Sequence, residues 1–370
     1  MKKPISVTRI SAKNLGTKLH CARGFSLLEL LVATVVFSVV AGAAFSLYMK
    51  QEPLYVQQTG IAGLQISLSN AVGQMQLDLA NAASGLIQGG DVAGWPIGVT
   101  ITNNVSNSCN NAATFTYGAG CFDSMSVLMA SPTVPGLHPT TNGSTTTGSL
   151  LAVPNPGDTA ATDAAYFNTG DEVLLITNNN SGAQMDAVQL TSNGAASGNN
   201  VQLSFTPMNA GGTNSLPAPG DPLNITNTAI PGVLTDTYGP GTWIVKLNAV
   251  TYTVDYTTNP NDPTLMRVQG SGQRQALADQ IIGFKIGAAL YNGTTSTTDY
   301  NYDSAQYQAP NGNIIANDFA LIRSVRISLI GRTTPNLDAN YTFKNLFDNG
   351  PYQIQGISVV VNPRNLSMND

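Results

Sequence analysis

Positive charge is nearly missing from most of this chain. Of 370 residues, 16 are Lys or Arg and 21 are Asp or Glu. No Lys or Arg stands between Gln51 and Val245, a stretch that carries 11 acids. From Lys246 to Asp370 nine bases balance nine acids. Such a distribution argues against nucleic acid as a partner, because phosphates are neutralised by basic surface. The polarity of the base-free stretch comes from Asn, Thr, Ser and Gly, which suits an exported surface. An acidic face for cations or a basic partner is the alternative. Histidine is equally scarce, with only His20 and His138. There is no GxSxG elbow, no HExxH and no Walker A loop. The chain is therefore read as a non-enzyme that needs no cofactor. The one catalytic route left open is a pair of carboxylates, such as Asp171 and Glu172, converging in space.

The N-terminus holds what the rest lacks. Lys2, Lys3, Arg9, Lys13, Lys18 and Arg23 form a basic leader without a single acid. An apolar run of 24 residues follows, from Phe25 to Tyr48. About 20 residues suffice to span a bilayer as a helix, and the charge asymmetry keeps the leader in the cytoplasm. Glu29 is the only ionisable side chain from Phe25 to Leu47. A carboxylate there costs about 2.5–3.5 kcal/mol on insertion scales, so a cationic group is expected to meet it. A secretory signal cut after Ala41-Gly42-Ala43 fits poorly, since the leader and the apolar run are both long and Glu29 lies inside the run. A plain anchor explains the length but not the glutamate. A lipoprotein at Cys21 fails because the apolar run follows the cysteine.

Arg23-Gly24-Phe25-Ser26-Leu27-Leu28-Glu29-Leu30-Leu31-Val32-Ala33 resembles the processing signal of type IV prepilins. The resemblance implies a prepilin peptidase that cuts between Gly24 and Phe25 and methylates the new amine of Phe25. It also gives Glu29 a role in subunit assembly. Further partners implied are other minor and major pilins, met through the N-terminal helix, and an inner-membrane assembly platform.

Removal of residues 1–24 leaves 10 bases against 21 acids. It also removes Cys21, so Cys109 and Cys121 are the two cysteines of the mature chain. An even pair in an exported domain predicts one disulfide. The spacing does not suit CxxC chemistry, and two cysteines without nearby histidines make a poor zinc site.

Beyond Pro53, which should kink or interrupt a helix, Ile61, Leu64, Leu68, Val72, Met75 and Leu79 recur at helical spacing and form one apolar stripe. Gln65, Ser69, Gln76 and Asp78 fall mostly off it. The helix should fade near Ala82–Gly85. Strands are expected at Ser124–Ala130, Glu172–Thr177, Ala187–Thr191, Val201–Thr206, Leu265–Val268, Ile281–Leu290, Ala320–Ile330 and Ile354–Val361. Thr242–Leu247 and Val250–Tyr256 read as two paired strands around Asn248-Ala249. Thr140–Gly148 and Asn193–Asn200 read as loops, the latter a hairpin connection. The fold class is α+β: a long N-terminal helix, transmembrane then amphipathic, packed on a mainly antiparallel sheet. The expected divisions are a leader at 1–24, a helix at 25–84 that spans the membrane at about 25–48, and a β-rich domain at 85–370.

Asp299, Asn301 and Asp303 have the spacing of the first three ligands of a calcium loop. Ser304 and Pro310 depart from the pattern where glycine and glutamate belong, so a polar loop is the favoured reading.

Met75-Gln76-Leu77-Asp78-Leu79-Ala80, the Val250–Tyr256 strand, Leu265-Met266-Arg267, the stretch Leu277–Phe284, Val325–Leu329 and Asn362-Pro363-Arg364-Asn365-Leu366 together resemble the PilW-type minor pilins. That resemblance implies a subunit of a type IV pilus that acts in assembly. It is held in the inner membrane first, with the domain periplasmic, and in the pilus later. The alternatives are a J-class minor pseudopilin of a type II secretion system and a pilus-tip adhesin. If the prepilin reading holds, Gly24→Val stops cleavage, because the peptidase needs a residue without a side chain at the cut. Intact mass or gel mobility then shows the full-length precursor accumulating; a mature chain of normal mass would contradict it.

Overall fold

A computed structural model describes residues 26–86, 91–92, 95–96, 98–104, 109–111, 114–140, 148–179, 182–207, 237–269, 273–291, 295–303, 322–336 and 341–366. The leader, Gly24 and Phe25 lie outside the described residues, as do 141–147 of the expected Thr140–Gly148 loop and 320–321 of an expected strand.

One helix runs from Leu27 to Ala80. Pro53 does not end it. Proline removes a single backbone donor, and the helix-forming turns on both sides outweigh that local loss. The chain divides into two compact units, Met1–Gln57 and Gln58–Asp370.

Within the second unit the apolar stripe is buried at Leu64, Leu68, Val72, Met75 and Leu79, while Gln65, Ser69 and Gln76 are exposed. The last turn tightens, with Asn81 N bonded to Leu77 O and Asp78 O, and Ala82 N to Leu79 O. Ala83 then takes a positive φ of 58° and donates its N–H to Leu128 O, which ties the helix exit to a strand. Asn365 Nδ2 bonds to Ala82 O at 3.0 Å from the other end of the chain.

The named strands pair antiparallel throughout the described residues. A four-stranded sheet runs Ser296–Asp299, Ile281–Tyr291, Ile322–Arg332, Ile354–Val361. An eleven-stranded sheet is organised around Trp243–Asp255. Leu247–Tyr252 of that strand pairs with Ser124–Ala130 on one side. Further back on the same strand, Trp243–Lys246 pairs with residues 173–176. Its other side, from Val250 to Asp255, pairs with Thr264–Gln269. The turn expected at Asn248-Ala249 is therefore absent: Asn248 faces Met129 and Ala249 faces Leu128 in an unbroken ladder. Asn-Ala lacks the glycine that makes a two-residue hairpin turn favourable. Leu190 pairs with Phe205 across the expected hairpin, but its connection holds a further small pairing, Ala195–Ser197 against Asn200–Gln202.

Two apolar cores result. The first joins the helix stripe to residues such as Ile101, Val127, Tyr252, Leu265, Phe284 and Ile327. The second lies within the Asn/Thr-rich middle and gathers Leu150, Phe167, Val188, Val201, Phe205, Tyr238 and Ile244, among others. The sparse apolar residues of that middle region thus build a core of their own.

Cys109 and Cys121 are bridged by a disulfide, with Cα atoms 4.7 Å apart. The chain after it docks on the four-stranded sheet. Asp123 N bonds to Phe284 O, and the buried Asp123 carboxylate accepts from Ile286 N at 2.9 Å and Lys285 Nζ at 2.8 Å. Within the bridged loop, Phe115 O accepts from Arg332 Nη1 at 2.8 Å. Arg332 is 1% exposed. Its charge is met by Gln280 Oε1 at 2.7 Å and Asn261 O at 2.6 Å, and by the rings of Tyr117 and Tyr352 at 5.3 and 4.9 Å. Both tyrosine hydroxyls converge on Asp348. Burial pushes both phenols up, reinforced by that carboxylate. Burial alone would raise Asp348, but hydrogen bonds from Tyr117, Tyr352, Asn345 and Gly350 N outweigh it and hold the carboxyl below its usual range.

Closing a loop of this size stabilises by about 3 kcal/mol in the chain-entropy account. Alkylation of the exported protein without reductant should label neither Cys109 nor Cys121, and a Cys109→Ser, Cys121→Ser double variant should unfold at lower urea. Two labelled thiols in intact-mass spectra would rule the bridge out.

Candidate functional site

Ser26 and Glu29 of the N-terminal motif lie at the start of the Leu27–Ala80 helix. Ser26 precedes the first helical turn, and its Oγ accepts from Glu29 N at 3.2 Å. Glu29 Oε2 accepts from Ser26 N at 3.1 Å in return. This reciprocal pair is a capping box, and it satisfies two amide donors that the first turn leaves without helical partners. Its signal in the sequence is the Ser-x-x-Glu spacing, which charge and hydropathy overshadow. The Glu29 carboxylate thus closes the helix start, where the helix dipole also favours negative charge.

From Leu27 to Tyr48 the large apolar side chains are exposed in the isolated chain. The helix is long and apolar enough to cross a membrane, and none of its most apolar window is buried within the chain. Two of its hydroxyls are satisfied internally, Thr34 Oγ1 by Leu31 O at 2.9 Å and Ser38 Oγ by Thr34 O at 2.8 Å. A segment in hydrocarbon has that requirement, because no water is present to take those bonds.

The seat of the helix on the β domain holds the side chain that periodicity misplaced. Asp78 is buried at 8% exposure. Its Oδ2 accepts from Tyr252 Oη at 2.5 Å and Arg267 Nε at 2.9 Å, and its Oδ1 from Gln74 Nε2 at 3.3 Å. Burial and then the Asp78 charge push the Tyr252 phenol up. Burial works against the Arg267 cation, but the hydrogen bond and charge of Asp78 more than restore it, so its pKa is raised. One turn of helix and two adjacent strands are thus joined by an ion pair and a phenol. Asp78 and Arg267 both stand in stretches that carry a family resemblance, yet nothing in their spacing, 189 residues apart, announces the pairing.

Other residues singled out in the sequence are placed as follows. Asp171 pairs with Lys246 at 2.6 Å. Asp299 Oδ1 accepts from Asn301 N at 2.9 Å, Asn301 O accepts from Asn103 Nδ2 at 2.7 Å, and Asp303 Oδ2 accepts from Asn103 N at 3.3 Å. Asn301 and Asp303 fasten a loop to the segment after Val99–Thr102, and the Asp299 carboxylate bonds within that loop. Among the described residues no group of three or more His, Cys, Asp or Glu is arranged to hold a metal. His138 is half-buried; its Nδ1 lies 2.8 Å from Thr242 O and its ring 3.9 Å from that of Trp243.

Residues 19–45 match the prokaryotic N-terminal methylation motif. The match implies processing by a prepilin peptidase, and with the apolar helix it fits membrane anchoring. Among solved structures the chain is similar to a type IV-like pilin from Thermus thermophilus, at 12% identity over 56% of this chain and 94% of that one. The TM-score is 0.17, a level at which the likeness carries no argument. No curated protein matches the chain significantly.

The Asp78 seat is testable by a double-mutant cycle. Asp78→Leu and Arg267→Met each leave a buried charge unpaired and should each cost about 3–5 kcal/mol. The double variant should recover most of that loss. Urea unfolding followed by tryptophan emission provides the measurement; single variants as stable as wild type would show that the pair does not hold the helix.

Proposed function

We propose that this chain is a minor pilin-like subunit of a type IV pilus, of the PilW type, acting in pilus assembly after leader cleavage. The observation that carries the reading is the methylation motif over residues 19–45, with its glycine, aromatic and glutamate in the prepilin order. Residues 1–24 are the leader. The segment from Phe25 to about Tyr48 lies in the inner membrane before assembly, with the N-terminus cytoplasmic and the β domain periplasmic. After processing, the helix leaves the bilayer and packs against equivalent helices of other pilins, where its exposed apolar side chains find protein in place of lipid.

Glu29 acts twice in this scheme. As a cap it fixes the start of its own helix. As a charge it meets the Phe25 amine of its own or a neighbouring subunit, in surroundings of low dielectric where an ion pair is far stronger than in water. A J-class pseudopilin would share this chemistry; loss of pili, as against loss of secreted protein, on deletion of the gene separates the two.

Substitution at Glu29 distinguishes cap from charge. Gln at this position preserves a capping box but removes the charge, and Leu removes both. Both variants should be cleaved after Gly24 and retained in membranes, and both should fall sharply in sheared filaments when expressed without the native copy. Wild-type incorporation of Glu29→Gln with loss for Glu29→Leu would show that Glu29 serves as a cap alone. Wild-type incorporation of both would remove the residue from assembly altogether.

A further inference from the structure

Between the two cores lies a groove of about 570 Å³, within the range of small-ligand sites, which favour such junctions. Its most conspicuous wall is Trp243, 49% exposed at the start of the strand shared by both cores. Exposure of an indole beside a concavity is costly in apolar area, and here it is held rigidly. Leu137 and Ile244 exchange backbone hydrogen bonds of 2.9 and 2.8 Å beside it. Gly136 lies so close that a Cβ there would stand 3.0 Å from the indole ring. His138 packs on the ring, and its Nδ1 faces the carbonyl of Thr242. A carbonyl only accepts, so Nδ1 carries the proton and the imidazole is fixed in orientation. The indole is thus a preset platform, which lowers the ordering cost of binding.

The remaining described lining selects the ligand. It offers the hydroxyls of Ser131 and Thr177, glycine backbone at Gly85 and Gly241, and the aliphatic Val134 and Ile176, with no charged side chain. The sequence from Gln51 to Val245 holds acids and no bases, so an anionic ligand would meet repulsion and no counter-charge. A cationic ligand would need a carboxylate or a cage of several rings, and the described lining has neither. Ser131 Oγ already reaches Thr133 Oγ1 at 3.3 Å, but a wholly apolar occupant would cover the Thr177 hydroxyl and the exposed peptide groups without bonding them. A ring with one C–H face and a hydroxyl rim satisfies every wall, since slightly positive C–H groups favour the negative face of an indole.

We propose that this groove binds an uncharged saccharide, with a pyranose ring stacked on Trp243 and its hydroxyls bonded along the Ser131 and Thr177 side. The site would give the chain a recognition function beyond assembly. It is assayed on the isolated protein, so its failure and failure of the filament reading are separate results.

The full chain, in a zwitterionic detergent that carries no sugar, is mixed with methyl β-glucopyranoside and methyl β-galactopyranoside and read by saturation-transfer NMR. Millimolar affinity suffices for detection. Saturation should reach the axial C–H protons of at least one glycoside. It should fall to background in Trp243→Ala of unchanged melting temperature and persist in part in Trp243→Phe. If Trp243→Ala fails to fold, Trp95→Phe leaves Trp243 as the sole indole, and its emission should change on glycoside addition. No transfer to either glycoside, undiminished transfer in a folded Trp243→Ala, or a silent Trp243 would overturn the proposal. So would transfer confined to choline, a methyl sialoside or cyclohexanol, which represent the cationic, anionic and apolar occupants.

Discussion

A carboxylate buried in the apolar face of a helix can be kept only where its partners already stand, and Asp78 imposes that condition on this domain. Leu68, Val72, Met75 and Leu79 would tolerate small rotations of the helix, because apolar contact is non-directional. Asp78 would not. Its oxygens must meet Tyr252, Arg267 and Gln74 together, which fixes the rotation and height of the helix against two strands. Positions fixed in this way extend to the helix exit, where Ala83 bonds to Leu128 and Asn365 closes on Ala82. Removing one partner would leave the other charge buried and uncompensated, so the two must be placed together.

Much of this architecture was legible in the sequence where period and burial coincide. Ile354–Val361 forms a strand at the expected limits, and the helix stripe is buried at five of its six positions, with Ile61 intermediate. What stayed hidden depends on contacts between distant residues. Asp78 looked like a solvated residue because periodicity sees a face and not the charge opposite it. Asn248-Ala249 looked like a turn because the pattern on either side fitted two short strands as well as one long strand; the ladder to Ser124–Ala130 crosses both residues and is continued by Ser131 N on Lys246 O and the Leu137–Ile244 pair, so the strand runs on without a break. Arg332 gave no hint of burial, since carbonyls and tyrosine rings rather than a carboxylate receive it. At the N-terminus the reverse holds. Glu29 was conspicuous in sequence for its charge, whereas its bond to Ser26 shows a local capping role that charge alone did not suggest.

The helix and the sheets answer to different solvents. Leu27 to Tyr48 leaves its apolar side chains uncovered by its own chain, so this stretch is stable only with lipid or other helices around it. Beyond Gln58 the same helix buries one face and exposes Gln65, Ser69 and Gln76. A single helix thus changes from an all-round apolar surface to an amphipathic one, and only the second part depends on the β domain for cover.

The strand shared by the two cores also governs how such a protein can vary. Ala130 pairs with Leu247, and Ser131 N bonds to Lys246 O at 2.8 Å. The described residues between Ser131 and Lys246, including the second core, are therefore joined to the first core at one antiparallel rung, as if they formed the loop of a hairpin. Leu174 is the one buried side chain from that span in the first core, among the described residues. A cassette mounted in this way can be lengthened, shortened or exchanged while the helix seat stays undisturbed, since doubling a closed loop costs only about 0.6 kcal/mol. Subunits with a common anchor and helix seat could then present unrelated surfaces, each carried between the same two residues.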